Sequence, residues 1–279
     1  MPILKYKNFP EFRGLHLWHA PMSSCSQRVR IALCLKELSW VSHPLKLDKG
    51  EHAKSEYLAI NPKGLVPSLI NDGEVITESI DILSYIEGKF GQLGNQSLSE
   101  SVITEGQYLL QKIDEAQKDV KTCSFFFLFR VRSMMNDNEF VFFQNNHSNI
   151  ELVKFHERFR TGLSRKEVQE SVERSLLFFK LIEAQIEKNN GYLLNGSFSI
   201  YDLALVPNVH RFSLMRWPFE EYPNISSWFK RIKSKDWFKL AILDWEPPEL
   251  IDTFSDFVGK SKNDNISAFL LENQGTPLK

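Results

Sequence analysis

At 279 residues, with 34 basic against 35 acidic side chains and a net charge of −1, the chain carries no long-range field suited to nucleic acid or an anionic membrane surface, and it is long enough for two cores. Its three cysteines, Cys25, Cys34 and Cys123, are odd in number and sparse and have no Cys-x-x-Cys or Cys/His zinc spacing. That argues against a disulfide scaffold or metal site and for a reducing compartment. The amino-terminal residues lack a charged-then-apolar signal pattern, so the cytosol is expected.

In chain order, Leu15 to His19 reads as a buried strand that Pro21 breaks, and Arg28 to Lys36 is helix-compatible. Trp40 to Leu47 predicts a second strand, Glu51 to Ile60 a short helix, Leu65 to Ile70 a third strand, Asn71-Asp72-Gly73 a hairpin turn and Glu74 to Ile76 a fourth strand. Thr77 is then expected to cap a helix bearing Ile80, Leu83, either Tyr85 or Ile86, and Phe90, with Glu78 and Ser79 in its exposed first turn. This order predicts an α/β thioredoxin-like domain over 1–92. The Gly-, Asn- and Ser-rich stretch from Gly91 to Ser99 reads as a linker.

Beyond it the pattern is helical throughout, predicting an all-α bundle over 99–260 and a carboxy-terminal tail over 261–279. Val168, Val172, Leu176, Phe179, Ile182 and Ile186 mark one apolar face, and Gly191 stops that helix. Ser199 with Asp202 three residues on fits a capping box, and Pro207 predicts a kink in the helix that follows. The run Ser124 to Phe129 ends at Arg130, well short of the roughly 20 apolar residues of a membrane span, and reads as a buried helix or pocket wall.

Chemistry concentrates in Ser23-Ser24-Cys25-Ser26, where a strand gives way to a helix. The first N–H groups of a helix lack intrahelical partners and carry the positive end of its dipole, so a sulfur placed there is held more easily as thiolate. Moving a thiol pKa from about 8.5 to about 6.5 takes about 2.7 kcal/mol. One charge-assisted hydrogen bond supplies about 1.5–3 kcal/mol and a helix terminus about 0.3–2, so a serine hydroxyl suffices without a general base. Pro67 entering a strand from a turn is a common place for a cis peptide that leaves the Val66 N–H and C=O facing outward, although it equally serves to shape the turn alone. Glu78 and Ser79 read either as helix caps or, with the other two features, as partners for the α-amino group and α-carboxylate of a short thiol peptide. Glutathione is such a peptide.

The chain resembles the cytosolic glutathione transferases over nearly its whole length. Ser23-Ser24-Cys25-Ser26 followed by Arg28-Val29-Arg30-Ile31-Ala32-Leu33 is similar to the zeta-class active-site signature, and Asn61 through Pro67 with Glu78-Ser79 to the glutathione-binding segments. Tyr201-Asp202-Leu203-Ala204 with Pro207, and Tyr222-Pro223-Asn224-Ile225 followed by Trp228, resemble the helical-domain signatures. The resemblance implies glutathione as co-substrate and a small hydrophobic electrophile as the other partner. It also implies a homodimer, with no nucleic acid or membrane. Ser23, Ser24 and Cys25 become the catalytic candidates, with His52, Leu65, Val66, Pro67, Glu78 and Ser79 on glutathione. Ser23, five residues before Arg28, matches the catalytic position. A rival reading makes Cys25 a mixed-disulfide cysteine.

The departure lies between Gln117 and Arg165, longer than a compact zeta-class enzyme and rich in Phe and Asn, while the spacing from Glu157-Arg158 through Gly196 has a diffuse similarity to bacterial β-etherases and related fungal transferases. Three functions follow from the resemblance. One is transfer to an aromatic electrophile, with aryl ether cleavage foremost. The second is cis-trans isomerisation of the maleylacetoacetate type, and the third is non-enzymatic binding. The segment from Gln117 to Arg165, with Phe125, Phe126, Phe127 and Phe129, is expected to line the electrophile pocket facing Ser23.

Overall fold

The computed structural model describes residues 9–94, 100–131, 135–261 and 264–274. Its elements are β1 (Leu15–His19), α1 (Ser24–Leu35), β2 (Trp40–Pro44), α2 (Ser55–Ile60), β3 (Ser68–Asn71), β4 (Glu74–Thr77), α3 (Ser79–Phe90), α4 (Glu100–Glu115), α5 (Gln117–Phe127), α6 (Asp137–Asn146), α7 (Ile150–Thr161), α8 (Arg165–Lys188), α9 (Ile200–Leu214), α10 (Pro223–Lys233), α11 (Asp236–Ala241), α12 (Pro248–Lys260) and α13 (Ile266–Gln274). They form two compact units. One gathers the chain up to Gly91 together with Ser133–Thr161, and the other holds Gln92–Arg132 and Gly162–Lys279.

The first unit is built on a sheet of order β2-β1-β3-β4, with β2 parallel to β1 and the other two pairs antiparallel. This is the thioredoxin-like order expected from the sequence. Asp72 and Gly73 both take positive φ, +48° and +87°, which is the primed turn a two-residue hairpin needs. Helix α1 is buried along most of its length, so Val29, Ile31, Ala32 and Leu33 show an apolar run rather than a stripe.

Boundaries differ from expectation where another group takes the backbone. The third strand begins at Ser68 rather than Leu65 because the Leu65 carbonyl accepts hydrogen bonds from the Tyr57 hydroxyl and, at 2.7 Å, from Asn61 Nδ2. Thr77 ends β4 opposite Ser68 instead of capping a helix, and Glu78 takes the N-cap position of α3. Segment Ser133–Thr161, expected in the helical bundle, groups with the first unit. Residues 95–99 of the expected linker lie outside the described residues.

The second unit is helical. Its longest helix, α8, buries Val168, Val172, Phe179, Ile182 and Ile186 as the spacing predicts, whereas Leu176 is only half-buried and Ser175 beside it is buried. The stretch set apart as a tail contributes α13, whose fully buried Phe269 packs on Phe126 and Phe127 at 5.6 and 5.4 Å between ring centroids. Helix α9 runs through Pro207 without interruption.

Asp202 organises this unit. Its fully buried carboxylate accepts from Leu193 N (3.0 Å), Ser199 N (3.1 Å), Ser199 Oγ (2.9 Å) and Trp228 Nε1 (2.9 Å). Burial pushes the carboxyl up to about 6, while these four donors pull the other way. Replacing it strands three buried N–H groups at once. Asp202→Ala is therefore expected to cost about 3 kcal/mol or more of unfolding free energy, read by urea denaturation. A loss below 1 kcal/mol would refute that role.

Candidate active site

Ser23 is the N-cap of α1, with extended backbone (φ −76°, ψ 118°). Its Oγ accepts from Ser26 N at 3.2 Å and its carbonyl accepts from Gln27 N at 2.9 Å. Among the described residues nothing engages the Ser23 hydroxyl proton, which is left to donate. Ser24 and Cys25 open the helix beside it, both partly exposed, and Ser26 is buried with its Oγ accepting from Ala20 N at 3.2 Å.

The turn that presents Ser23 is held from beneath by Arg30. Its fully buried guanidinium donates through Nη1 to His19 Nδ1 (3.1 Å) and Ala20 O (3.2 Å), and through Nη2 to Pro21 O (2.9 Å). Since Nδ1 accepts, His19 carries its proton on Nε2 and donates it to Ser42 Oγ at 2.9 Å. Burial, with Arg30 adjacent, drives the His19 pKa down to about 3, so the ring stays neutral. His19 is thus structural, as a lone histidine at a strand end suggests.

Two contacts join the remaining candidates. Arg28, also fully buried, donates from Nη1 to Ser79 Oγ at 3.1 Å, tying α1 to the first turn of α3. Exposed Glu78 sits at φ +63°, a conformation costly for a residue with Cβ, and its carboxylate receives Lys63 Nζ at 2.7 Å. Lys63 belongs to the loop whose Val66-Pro67 peptide is cis. Leu65 and Val66 are half-buried and Pro67 is buried. Among the described residues no hydrogen bond engages the Val66 backbone. The three expected pieces, the α1 turn, the Val66 loop and the start of α3, are therefore connected by Arg28–Ser79 and Lys63–Glu78.

His52, expected on glutathione, is buried beside His147, whose Nε2 reaches Gly64 O of the Val66 loop. His52 is 3% exposed, in a short turn over Glu51–Ala53, beneath Phe143 (5.1 Å between ring centroids) and His147 (5.2 Å). Its Nδ1 has no partner among the described residues. Burial, with His147 and His156 close by, lowers its pKa to about 3. Its cover by α6 depends on contacts some 90 positions away in the chain, such as that with Phe143.

The other cysteines are quiet. Burial pushes the thiols of half-buried Cys34 and fully buried Cys123 up, keeping both protonated. In the expected pocket segment, Phe126 and Phe127 are buried against Phe269, and Phe129 packs at 5.5 Å on fully buried Phe254. Phe126 and Phe127 are packed inside the second unit, whereas Phe125, 5.4 Å from Phe129 between ring centroids, and Phe129 itself are half-buried. The Arg28, Arg30, Tyr57 and Asn61 roles escaped sequence reading, although two arginines inside an apolar helical run were a signal that both are buried with partners.

Two family models match, the glutathione S-transferase N-terminal domain over residues 22–89 and the C-terminal domain over 165–231. A zeta-class glutathione S-transferase of Euphorbia esula is 49% identical over 81 residues, 29% of this chain and 36% of that protein. A maleylacetoacetate isomerase of Pseudomonas aeruginosa is 47% identical over 73 residues, 25% of this chain and 34% of that protein. The chain thus spans about a third of the length of these curated relatives. Among solved structures, β-etherase LigF of Sphingobium sp. strain SYK-6 shares the fold with a TM-score of 0.73 at 22% identity, covering 81% of this chain and 98% of that one.

The neutral histidines make stability pH-dependent. His19 and His52 bind protons near pH 6.5 when unfolded but only near 3 when folded, so between those values the unfolded state holds more protons. Their contribution is complete above about pH 6.5 and is lost as pH falls towards 3, at about 1.4 kcal/mol per pH unit for each ring. His52→Phe is expected to flatten the slope of unfolding free energy between pH 6 and 4 by about that amount, measured by denaturant titration across pH. An unchanged slope would show that His52 protonates freely in the native state.

Proposed function

Because this chain belongs to the glutathione S-transferase family, we propose that it is a glutathione-dependent enzyme whose Ser23 hydroxyl holds the glutathione sulfur as a thiolate for attack on a small hydrophobic electrophile. The observation that carries this is the N-cap geometry of Ser23. Its lone pair is taken by Ser26 N–H, which leaves the hydroxyl proton as a donor at the positive end of α1. The Val66 N–H and C=O pair with the peptide backbone of glutathione, and Glu78 and Ser79 receive its α-amino group and α-carboxylate. Leu65 and Pro67 shape that loop. Ser24 and Cys25 flank the sulfur.

The thiol proton leaves to solvent as the thiolate forms. In the foremost reading the sulfur then attacks a carbon bearing an aryloxy group. The C–S bond forms, the C–O bond breaks with its electron pair, and the phenolate leaves and is protonated by water. The fold shared with a β-etherase supports this class, as does the long helical unit. The second reading, thiolate addition to a conjugated double bond followed by its departure, is favoured by the local identity to a maleylacetoacetate isomerase. Glutathione is consumed in the first and regenerated in the second, so adduct detection by mass spectrometry separates them. We place the enzyme in the cytosol as a homodimer.

Ser23→Ala is expected to lower turnover by about 10²-fold while leaving glutathione affinity within a few-fold, because the hydroxyl acts on the sulfur rather than on the peptide. Near wild-type turnover in that variant, with Cys25→Ala inactive, would transfer the role to Cys25. Glu78→Ala should do the reverse, weakening glutathione binding by about 1.5–3 kcal/mol in calorimetric titration with turnover at saturation little changed. Unchanged affinity would reduce Glu78 to a cap.

A further inference from the structure

Helices α6 and α7 fall between the two segments the family models match, yet they pack on the first unit. Met135, Phe143 and Val153 form a small core with Ala53, and Phe140 and Leu152 pack against it. Lys49 Nζ meets Glu139 Oε1 at 3.2 Å, and Arg160 closes the pair onto itself through Met135 O and Asp137. Between the two helices, the turn at His147-Ser148-Asn149 reaches the loop that leads to Val66. His147 Nε2 donates to Gly64 O at 3.1 Å, and the Ser148 hydroxyl donates to Pro62 O. Asn149 N donates to His147 Nδ1 at 3.0 Å, which fixes the tautomer and the ring plane.

We infer that His147 is a positioning residue for glutathione, acting through Gly64 to fix the backbone at Val66, two residues on. Gly64 has φ +60°, and a Cβ there would stand 2.4 Å from His147 Nε2, so the imidazole occupies the space that glycine leaves. The loop is thus gripped at three carbonyls: Pro62 by Ser148, Gly64 by His147, and Leu65 by Tyr57 and Asn61. The next residue is Val66, whose backbone nothing among the described residues engages. A ligand that pairs with an extended backbone binds best when that backbone is already ordered, because the ordering cost is then met before binding. Burial keeps the His147 ring neutral, which its acceptance from Asn149 requires.

This inference rests on the glutathione reading above. The test is glutathione titration by calorimetry, with steady-state kinetics, on the full chain. His147→Ala is expected to raise Kd and KM for glutathione by about tenfold with kcat within about twofold, and His147→Gln, whose Nε2–H falls near the imidazole donor, should restore both. A folded His147→Ala that binds glutathione as the wild type does would overturn the inference, as would a Gln variant no better than Ala. Should His147→Ala fail to fold, Ser148→Ala decides, with about threefold weaker binding expected and unchanged binding overturning it. Hydrogen exchange at residues 63–66 reads the grip without ligand. Faster exchange in His147→Ala with no glutathione binding in the wild type would sink the glutathione reading and leave the grip standing. Unchanged exchange would remove the grip itself.

Discussion

Two buried guanidinium groups on one helix set the geometry from which the rest follows. Arg28 and Arg30 are both fully buried, and a buried cation left without partners costs roughly several kcal/mol. Each therefore dictates what surrounds it. Arg30 takes the carbonyls of Ala20 and Pro21 and the Nδ1 lone pair of His19, so the chain between β1 and α1 has little freedom to move. That fixes Ser23 as the first cap of the helix. Arg28 takes Ser79 Oγ and so sets α3 relative to α1. The neutral state of His19 belongs to the same constraint, because a protonated ring would offer no Nδ1 lone pair and would place a second positive charge beside the guanidinium.

Backbone shape does on the other side of the unit what charge does here. Gly50 takes φ +67°, which favours glycine, and packs against Met135 and Phe143 at ordinary contact distance. Gly64 yields its side-chain space to His147. That glycine admits the turn of a helix pair that brings its own small core and shuts His52 away from solvent. His52 is thus enclosed by that pair, while Lys63 and Glu78 remain exposed near the loop.

The chain order of strands and helices, the hydroxyl of Ser23 at the start of α1, the cis peptide at Pro67 and the Ser199–Asp202 cap were legible in the sequence because each is governed by residues close together in the chain. Turn chemistry, capping and apolar alternation are local. The missed features were non-local. The start of β3 depends on Tyr57 and Asn61 competing for the Leu65 carbonyl, and the placement of α6 and α7 depends on contacts across some 80 positions, such as His147 to Gly64 (|i−j| 83). The phenylalanines at 126, 127 and 129 were visible as an apolar run, but a run does not reveal whether it faces a pocket or, as here, Phe254 and Phe269.

The helix pair differs from the motif residues in what it touches. Its two hydrogen bonds to the loop end on main-chain carbonyls, Pro62 O and Gly64 O, rather than on side chains. Main-chain acceptors exist whatever the loop sequence, so such a pair can be gained or lost without any change in the Asn61 to Pro67 segment except at Gly64, where the ring needs room. The matched N-terminal region and the unmatched helices are therefore held by different means: the first by side-chain partnerships such as Arg28–Ser79, the second by main-chain acceptors and shape. On the proposal that Ser23 holds the glutathione sulfur and His147 orders the Val66 loop, a chain that keeps the first and alters the second would retain the means to ionise a thiol while changing how firmly the peptide carrying that thiol is held.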